Sequence, residues 1–181
     1  MNSTKRTPKE RASDFVGALR RISNDRGKLA ALRRGLTSNP RLQVDAWPVV
    51  ANLGGDISQP VYVAVAALFA EHQDQSQARN FGETCRSIAL ANSTDGKPSD
   101  SVERRFRRLL ACVDAADVIS QLRSWIRLAG SSGKGVNYES LFADLWNWQW
   151  YQDEIRVKWA RSFWQTGKST PQENSTQITA S

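Results

Sequence analysis

The sequence predicts an all-α protein of two small helical bundles joined by a short loop. Apolar residues recur at helical spacing through most of the 181 residues. No two alternating apolar runs are separated by a tight-turn dipeptide such as Asn-Gly, which would indicate a β-hairpin. The stretch "NSTDGKPSD", residues 92–100, is rich in loop-forming residues and divides the chain near its middle.

Helical segments account for nearly all of the N-terminal half. Apolar residues at helical spacing form two stripes. One consists of Phe15, Leu19 and Ile22, and the other of Leu29, Leu32 and Leu36. "DAWPVVANL" predicts a short helix, because a proline is tolerated in a first helical turn. "QPVYVAVAALFAEHQ" is apolar on nearly every side. Its alternating valines leave a buried strand open, but its length and alanines favour a buried helix. "NFGETCRSIALAN" predicts a further short helix.

The C-terminal half begins with an arginine-rich helix. Its buried stripe is formed by Val102, Phe106, Leu109, Leu110 and Val113, and Ser99 or Asp100 is placed to cap it. "ADVISQLRSWIRLAG" predicts the next helix. "NYESLFADLWNWQWYQDEIRVKWARSFWQTG" predicts two more helices with a break near Trp150.

Composition sets the predicted domain limits. Residues 1–12 and 168–181 are polar and are predicted to be disordered tails. Between them, residues 13–92 form the predicted N-terminal bundle and residues 99–167 the C-terminal bundle.

Positive charge dominates the chain and is unevenly distributed. The net charge is +7, which favours a polyanionic partner, most often nucleic acid. Residues 1–36 hold ten basic and three acidic residues, and residues 101–134 hold seven and three. Residues 37–96 hold three basic and six acidic residues. The basic residues therefore form two zones, one in each half. We predict that cations from both zones lack partners within the chain and together form a single continuous track for sugar–phosphate strands.

Most of these cations lack an acid at helical spacing. Asp100 precedes Arg104, and Glu103 precedes Arg107, by the four residues that favour an ion pair. The arginines without an acid three or four positions away include Arg20, Arg33, Arg34, Arg105, Arg108, Arg123 and Arg127. We predict that these seven, with Lys28, bind nucleic acid, although Asp25 lies three positions before Lys28. Arginine binds phosphate oxygens bidentately, and no base-reading motif accompanies these residues.

Signatures of catalysis and of metal binding are absent from the sequence. His72 is the only histidine, has no nucleophile motif around it, and is predicted to lie at the surface near a helix end. "GSSGKG" lacks the order of a phosphate-binding loop. We therefore predict no enzymatic activity, no cofactor and no metal site.

Cys85 and Cys112 are predicted to be core residues, and the compartment is predicted to be a reducing cytoplasm. No apolar run is long enough to span a membrane.

Tryptophan is concentrated in the last forty residues, at positions 146, 148, 150, 159 and 164. Core packing explains most of them, because Trp148 and Trp159 lie on apolar stripes. Trp150 is the predicted exception, exposed for base stacking or for a subunit interface.

The C-terminal half resembles a known family. "ERRFRRLLACVDAADVISQLRSWIRLA", followed by "YESLFADLWNWQ" and "VKWARSFW", resembles the CasB-type small subunit of the type I-E CRISPR Cascade complex. "DRGKLAALRRGL" and "ETCRSIALA" resemble the N-terminal half of that subunit, and the resemblance covers roughly residues 14–166.

The resemblance implies a subunit of two helical bundles without enzymatic activity, working in antiviral defence. The implied partners are the backbone and large Cascade subunits, a second copy of the chain, guide RNA and target DNA, with no membrane or small-molecule substrate. Its basic residues would hold the target strand and the displaced strand of the R-loop. Arg33, Arg34, Arg105 and Arg123 match basic positions of the family, whereas Arg108 and Arg127 come from helix geometry alone.

Two alternatives to this function stay open on the sequence. A helical adaptor would use the basic zones to bind acidic protein partners only. A stand-alone DNA-binding regulator would require sequence preference, which the lack of base-reading motifs disfavours.

Overall fold

The computed structural model describes residues 6–165 except Asn92, Thr94 and Asp95. Short 3-10 helices occupy Arg34–Leu36 and Val44–Ala46. The α-helices in chain order are α1 (Pro8–Arg21), α2 (Arg26–Arg33), α3 (Pro40–Gln43), α4 (Trp47–Asn52), α5 (Pro60–Glu71), α6 (Phe81–Ala91), α7 (Asp100–Leu110), α8 (Ala115–Ser131) and α9 (Tyr138–Trp164).

The all-α prediction is confirmed. Within the described residues, β-type pairing is limited to an isolated parallel bridge between Gln75 and Val136. The alternating valines do not form a strand but belong to α5, which is buried on nearly every side. No helix in the described part of the chain is long and apolar enough to cross a membrane.

Helix α1 begins at Pro8, inside the segment that composition predicts to be disordered. Thr7 forms a capping box: its side chain accepts a hydrogen bond from the Glu10 amide, and the Glu10 carboxylate accepts one from the Thr7 amide. Ala12 is fully buried. The cap and this contact with the core order residues 8–12. The predicted C-terminal tail, residues 168–181, lies outside the described residues.

Helix α9 is the longest of the described helices, and both of its halves pack against other helices. Phe142, in its first half, contacts Phe15 of α1 and Tyr62 of α5. Trp159, in its second half, contacts Phe81 of α6. Between them Tyr151 leaves helical geometry, with φ −132° and ψ 30°. The predicted break near Trp150 is therefore confirmed as a kink.

Helix α6 precedes the predicted domain boundary but packs against the end of α9. The Asn80 side-chain Nδ2 donates to Ser162 Oγ at 2.8 Å, and Arg86 Nη1 donates to the Phe163 carbonyl at 2.7 Å. Buried apolar residues from both halves form one continuous cluster. The division into bundles at residues 92–99 stays a prediction.

The end of α7 differs from its prediction. The helix ends at Leu110, and Val113, predicted to lie on the buried stripe, is 68% exposed. The chain turns away before that residue, and the Val113 carbonyl accepts a hydrogen bond from Trp148 Nε1. The prediction is wrong at this position because it extended helical geometry past the end of the helix. Cys85 and Cys112 are both buried, as predicted.

A buried carboxylate joins the two halves of α9 across the kink. Asp144 Oδ2 accepts a hydrogen bond from Trp159 Nε1 at 2.7 Å, and Asp144 Oδ1 accepts one from Lys158 Nζ. Burial raises the pKa of Asp144, and the hydrogen bond and charge of Lys158 only partly offset that increase.

We expect Asp144→Leu to lower the free energy of unfolding by about 2 kcal/mol, because the buried Trp159 N–H loses its acceptor. Asp144→Asn keeps an acceptor oxygen and should cost less. Urea unfolding of the two variants measures both effects. Equal losses would show that the Trp159 hydrogen bond is not the cause.

The same variants give a pH dependence. Because the folded-state pKa of Asp144 is raised, its titration contributes stability below the ordinary value of 3.8. That contribution is lost as the pH rises through the folded-state pKa. The wild type should therefore lose stability relative to Asp144→Asn between acid and neutral pH. A gain over the same range would show that the Lys158 ion pair outweighs the effect of burial.

Candidate nucleic-acid interface

The arginine face of α7 is oriented by packing on its opposite side. Phe106 is fully buried and stacks on Phe163 with ring centroids 4.0 Å apart, and Leu109 is fully buried as well. The four arginines therefore point away from the core. Arg105 is half-buried, and the exposed members are Arg104, Arg107 and Arg108.

The four arginines differ in whether they form an ion pair with an acid on the same helix. Arg107 forms the predicted ion pair with Glu103 at 2.5 Å, and its guanidinium also lies over the Trp164 ring. The predicted pair between Asp100 and Arg104 does not form among the described side chains, so that prediction is wrong. Arg105 and Arg108 have no side-chain hydrogen bond or ion pair with any residue that the structure describes.

Three arginines from two helices meet at the C-terminal end of α5. Arg123 Nε and Nη2 donate to Glu71 Oε1 at 2.9 and 2.6 Å, and Arg127 Nη2 lies 3.4 Å from the same oxygen. Arg33 Nε donates to the Ala70 carbonyl at 2.8 Å. Because Ala70 and Glu71 are consecutive, this brings α2 and α8 to one place. We call Arg33, Glu71, Arg123 and Arg127 the α5-end cluster.

The α5-end cluster carries excess positive charge. Burial raises the pKa of Glu71. The hydrogen bonds and charges of Arg123 and Arg127 together lower the pKa by more than burial raises it, so the net shift is downward. Glu71 is therefore ionised at neutral pH. The Glu71 carboxylate contacts two guanidinium groups, and that of Arg33 is held at the neighbouring Ala70 carbonyl, so the cluster carries two positive charges in excess.

The remaining predicted cations also have partners. Arg20 Nη2 forms an ion pair with Glu139 at 2.9 Å, and its Nε donates to Gln75 Oε1. The other two pairs are Arg34 with Asp45 at 2.7 Å and Lys28 with Asp25 at 2.9 Å. All three cations stay about half exposed or more, so these pairs are weak and open to competition.

The expectation that the cations lack intrachain partners is wrong for Arg33, which donates to a backbone carbonyl. It is also wrong for four arginines that pair with acids, namely Arg20, Arg34, Arg123 and Arg127. Spacing along a helix detects acids only three or four positions away. The acids found by these arginines lie 11 to 119 positions away. Glu71, which is 52 positions from Arg123, had no signal in the sequence beyond its place at the end of a buried helix.

The structure joins some of the predicted residues and leaves others apart. Arg33, Arg123 and Arg127 share the α5-end cluster, and Arg20 reaches Gln75 in the segment that follows α5. No side-chain hydrogen bond or ion pair among the described residues connects Arg105 or Arg108 to that cluster. A single continuous basic track stays a prediction.

Further cations have no side-chain partner among the residues the structure describes. They are Lys9, Arg21, Arg26, Arg41, Arg104 and Arg161, all of them exposed. The spacing test itself could have found Lys9, Arg26 and Arg161, which have no acid three or four positions away. Arg41 has Asp45 four positions away, but Asp45 pairs with Arg34 instead.

The tryptophans follow the predicted division except at Trp164, which is 38% exposed. Trp148 and Trp159 are fully buried, whereas Trp150 is 62% exposed, as predicted, and Tyr151 beside it is also exposed. His72 directly follows the end of α5, near a helix end as predicted. It is half-buried rather than exposed, and its Nε2 lies 2.8 Å from the Lys134 carbonyl oxygen. No group of three potential metal ligands occurs in the part of the chain that the structure describes.

Comparison with known proteins identifies relatives over most of the chain. A Cse2 protein of Thermus thermophilus is 29% identical over 168 residues, covering 90% of this chain and 94% of the relative. The crystal structure of CasB from Thermus thermophilus superposes with a TM-score of 0.68 at 27% identity, over 87% of this chain and 98% of that one. A chain of a CRISPR RNA-guided surveillance complex has the same fold, with a TM-score of 0.66 at 24% identity, over 86% and 92% of the two chains.

The family assignment rests on a match to a sequence model of the whole family. The model described as "CRISPR-associated protein Cse2" matches residues 28–164, which is more than half of the chain. This confirms the resemblance drawn from the arginine helix and the tryptophan-rich C-terminal segments. The chain therefore belongs to the CRISPR-associated Cse2 family.

Proposed function

We propose that this chain is a non-catalytic subunit of an RNA-guided CRISPR interference (Cascade) complex. In that complex it binds the sugar–phosphate backbones of the target strand and the displaced strand of the R-loop. Its partners are the backbone and large subunits, a second copy of itself, the guide RNA and the target DNA. Membership of the Cse2 family, and a chain of the same fold in a surveillance complex, support the proposal.

The observation that carries the proposal is the surplus of guanidinium groups at two places. The α5-end cluster has three arginines and one carboxylate, and α7 presents Arg105 and Arg108 without a described partner. Arginine forks bind phosphate oxygens without reading sequence. Guide–target pairing roughly replaces the DNA pairing that it disrupts, so backbone contacts are enough to shift the balance towards the open loop.

We expect the isolated chain to bind mixed-sequence single-stranded DNA with strong salt dependence. The logarithm of the binding constant should fall linearly with the logarithm of salt concentration, by about 0.7 for each neutralised phosphate. Fluorescence anisotropy across a salt series measures this slope. Oligonucleotides of different sequence serve as the control and should give the same slope, whereas a sequence preference would favour a DNA-binding regulator.

The second candidate is the helical adaptor with protein partners only. An open groove of about 720 Å³ favours it, lying between α8 and the segment from Arg34 to α5. Its walls include Trp47, Ile57, Val63 and Ile119, and both Trp47 and Ile57 are exposed. Exposed apolar surface of this kind is typical of protein interfaces. A flat response to salt would favour the adaptor.

A further inference from the structure

We infer that the α5-end cluster is a phosphate site in which Glu71 is paired with Arg127 until a nucleic-acid strand binds. Arg127 then exchanges the Glu71 carboxylate for a phosphodiester group, while Arg123 keeps Glu71. The inference rests on the proposed function, since the ligand is a phosphate of the bound strand.

Arg123 is the fixed member of the cluster. Two of its nitrogens donate to Glu71, and Nη1 donates to the Leu36 carbonyl at 3.3 Å. All three guanidinium nitrogens are therefore engaged, and the side chain is 31% exposed. Through these bonds Arg123 ties α8 to the end of α5 and to the turn after α2. This places Arg123 in a positioning role, with a donor on each of its three nitrogens already used within the chain.

Arg127 is the exchangeable member. It lies one helical turn after Arg123, is 61% exposed, and reaches Glu71 through a single contact of 3.4 Å. A contact of that length is at the weak limit of a hydrogen bond. Arg33 is exposed as well and uses only Nε, which leaves both of its Nη groups to donate. Unused donors on two guanidinium groups thus lie beside consecutive residues of α5.

Glu71 acts as an internal competitor for the phosphate. Its side chain is only 15% exposed, and a carboxylate offers the same charge sign and paired oxygen acceptors as a phosphodiester. Releasing Arg127 does not leave a buried charge unpaired, because Arg123 retains both of its hydrogen bonds to Glu71. The exchange therefore costs little, while the negative charge of Glu71 still weakens the site for an anion.

The test measures binding of the full chain to mixed-sequence single-stranded DNA by fluorescence anisotropy. Glu71→Gln keeps an acceptor for Arg123 but removes the charge, and we expect about threefold to tenfold tighter binding. Asp153→Asn is the matched control: it removes the same charge from an exposed residue on α9 and should change affinity by less than about twofold. Arg127→Gln should weaken binding about threefold to tenfold.

Coupling between the variants gives a sharper readout. Arg127→Gln should weaken binding more in the Glu71→Gln background than in the wild type, because Arg127 is then fully available to phosphate. Unchanged or weaker binding by Glu71→Gln, or equal tightening by Asp153→Asn, overturns the inference. If Glu71→Gln fails to fold, Arg127→Gln decides alone, and unchanged binding by that variant is the contradicting result.

The inference and the proposed function fail in different ways. If the wild type shows no salt-dependent binding to DNA, both are wrong. If the wild type binds with the expected salt slope and Glu71→Gln does not tighten that binding, the inference alone is wrong. In that case the strand is held elsewhere, and α7 is the surface to examine next.

Discussion

Reversing Arg105 and Arg108 to Glu, with Arg33 and Arg34 changed to Gln, lowers the affinity of the assembled complex for target DNA by about 100-fold or more at moderate salt. The expected decrease combines two effects. Four candidate phosphate-binding cations disappear, and two acids on α7 repel the strand. Competition binding with labelled target duplex measures the change, and the slope against salt should become shallower by about one for each phosphate that is no longer neutralised.

The choice of substitutions follows from the contacts of each side chain. Arg105 and Arg108 have no partner in the described part of the chain, so their reversal should leave the fold intact. Arg34 pairs with Asp45, and a glutamate there would set two acids together. Glutamine avoids that repulsion while removing the charge. Guide loading and assembly should stay normal in the quadruple variant.

A charge-matched control tests whether position matters. Arg26 and Arg161 are exposed, lack described partners and lie outside the predicted set. Reversing both to Glu changes the net charge as much as reversing Arg105 and Arg108, so this pair is compared with a variant that carries only the two α7 reversals. If this pair lowers target affinity as much as the α7 pair, net charge alone controls binding. Unchanged target affinity in the quadruple variant would falsify the proposed interface.

Replacing Gly82 with alanine lowers the free energy of unfolding by about 3 kcal/mol or more. A Cβ at this position would overlap the Trp159 carbonyl oxygen and lie 2.6 Å from the carbonyl carbon and Cα of that residue. These are backbone atoms, so no rotamer change relieves the overlap. Helices α6 and α9 must therefore separate, which disrupts the adjacent contact between Phe81 and Trp159.

Chemical denaturation compares this variant with a matched glycine. Gly17 lies inside α1, and a Cβ there would have no atom within 4 Å. Gly17→Ala should therefore raise stability by about 0.5–1 kcal/mol, because alanine is the better helix former. If both variants change stability alike, close packing of α6 on α9 does not stabilise the fold.

Apolar periodicity predicted the helices well, including the buried α5, because which face of a helix is buried depends on residues a few positions apart. Periodicity failed at Val113, and composition failed at residues 8–12, which belong to α1. A helix end depends on capping and packing, which the spacing of apolar residues does not encode.

Ion pairs also fall into those that spacing along a helix predicts and those that it does not. Glu103 and Arg107 pair as predicted, since four positions on a helix bring two side chains together. Asp144 with Lys158, and Glu71 with Arg123 and Arg127, were not predicted from spacing. In each of these cases a kink or a contact between separate helices brings the charges together.

The helical class, the excess of positive charge and the exposure of Trp150 could all be predicted from the amino-acid sequence alone. These properties depend on composition and on neighbours within a helical turn or two. Which arginines are free and which are held depends instead on the packing of the helices. Charges pair through space, and helices distant in the chain bring together residues whose separation in sequence carries no information about their separation in the fold.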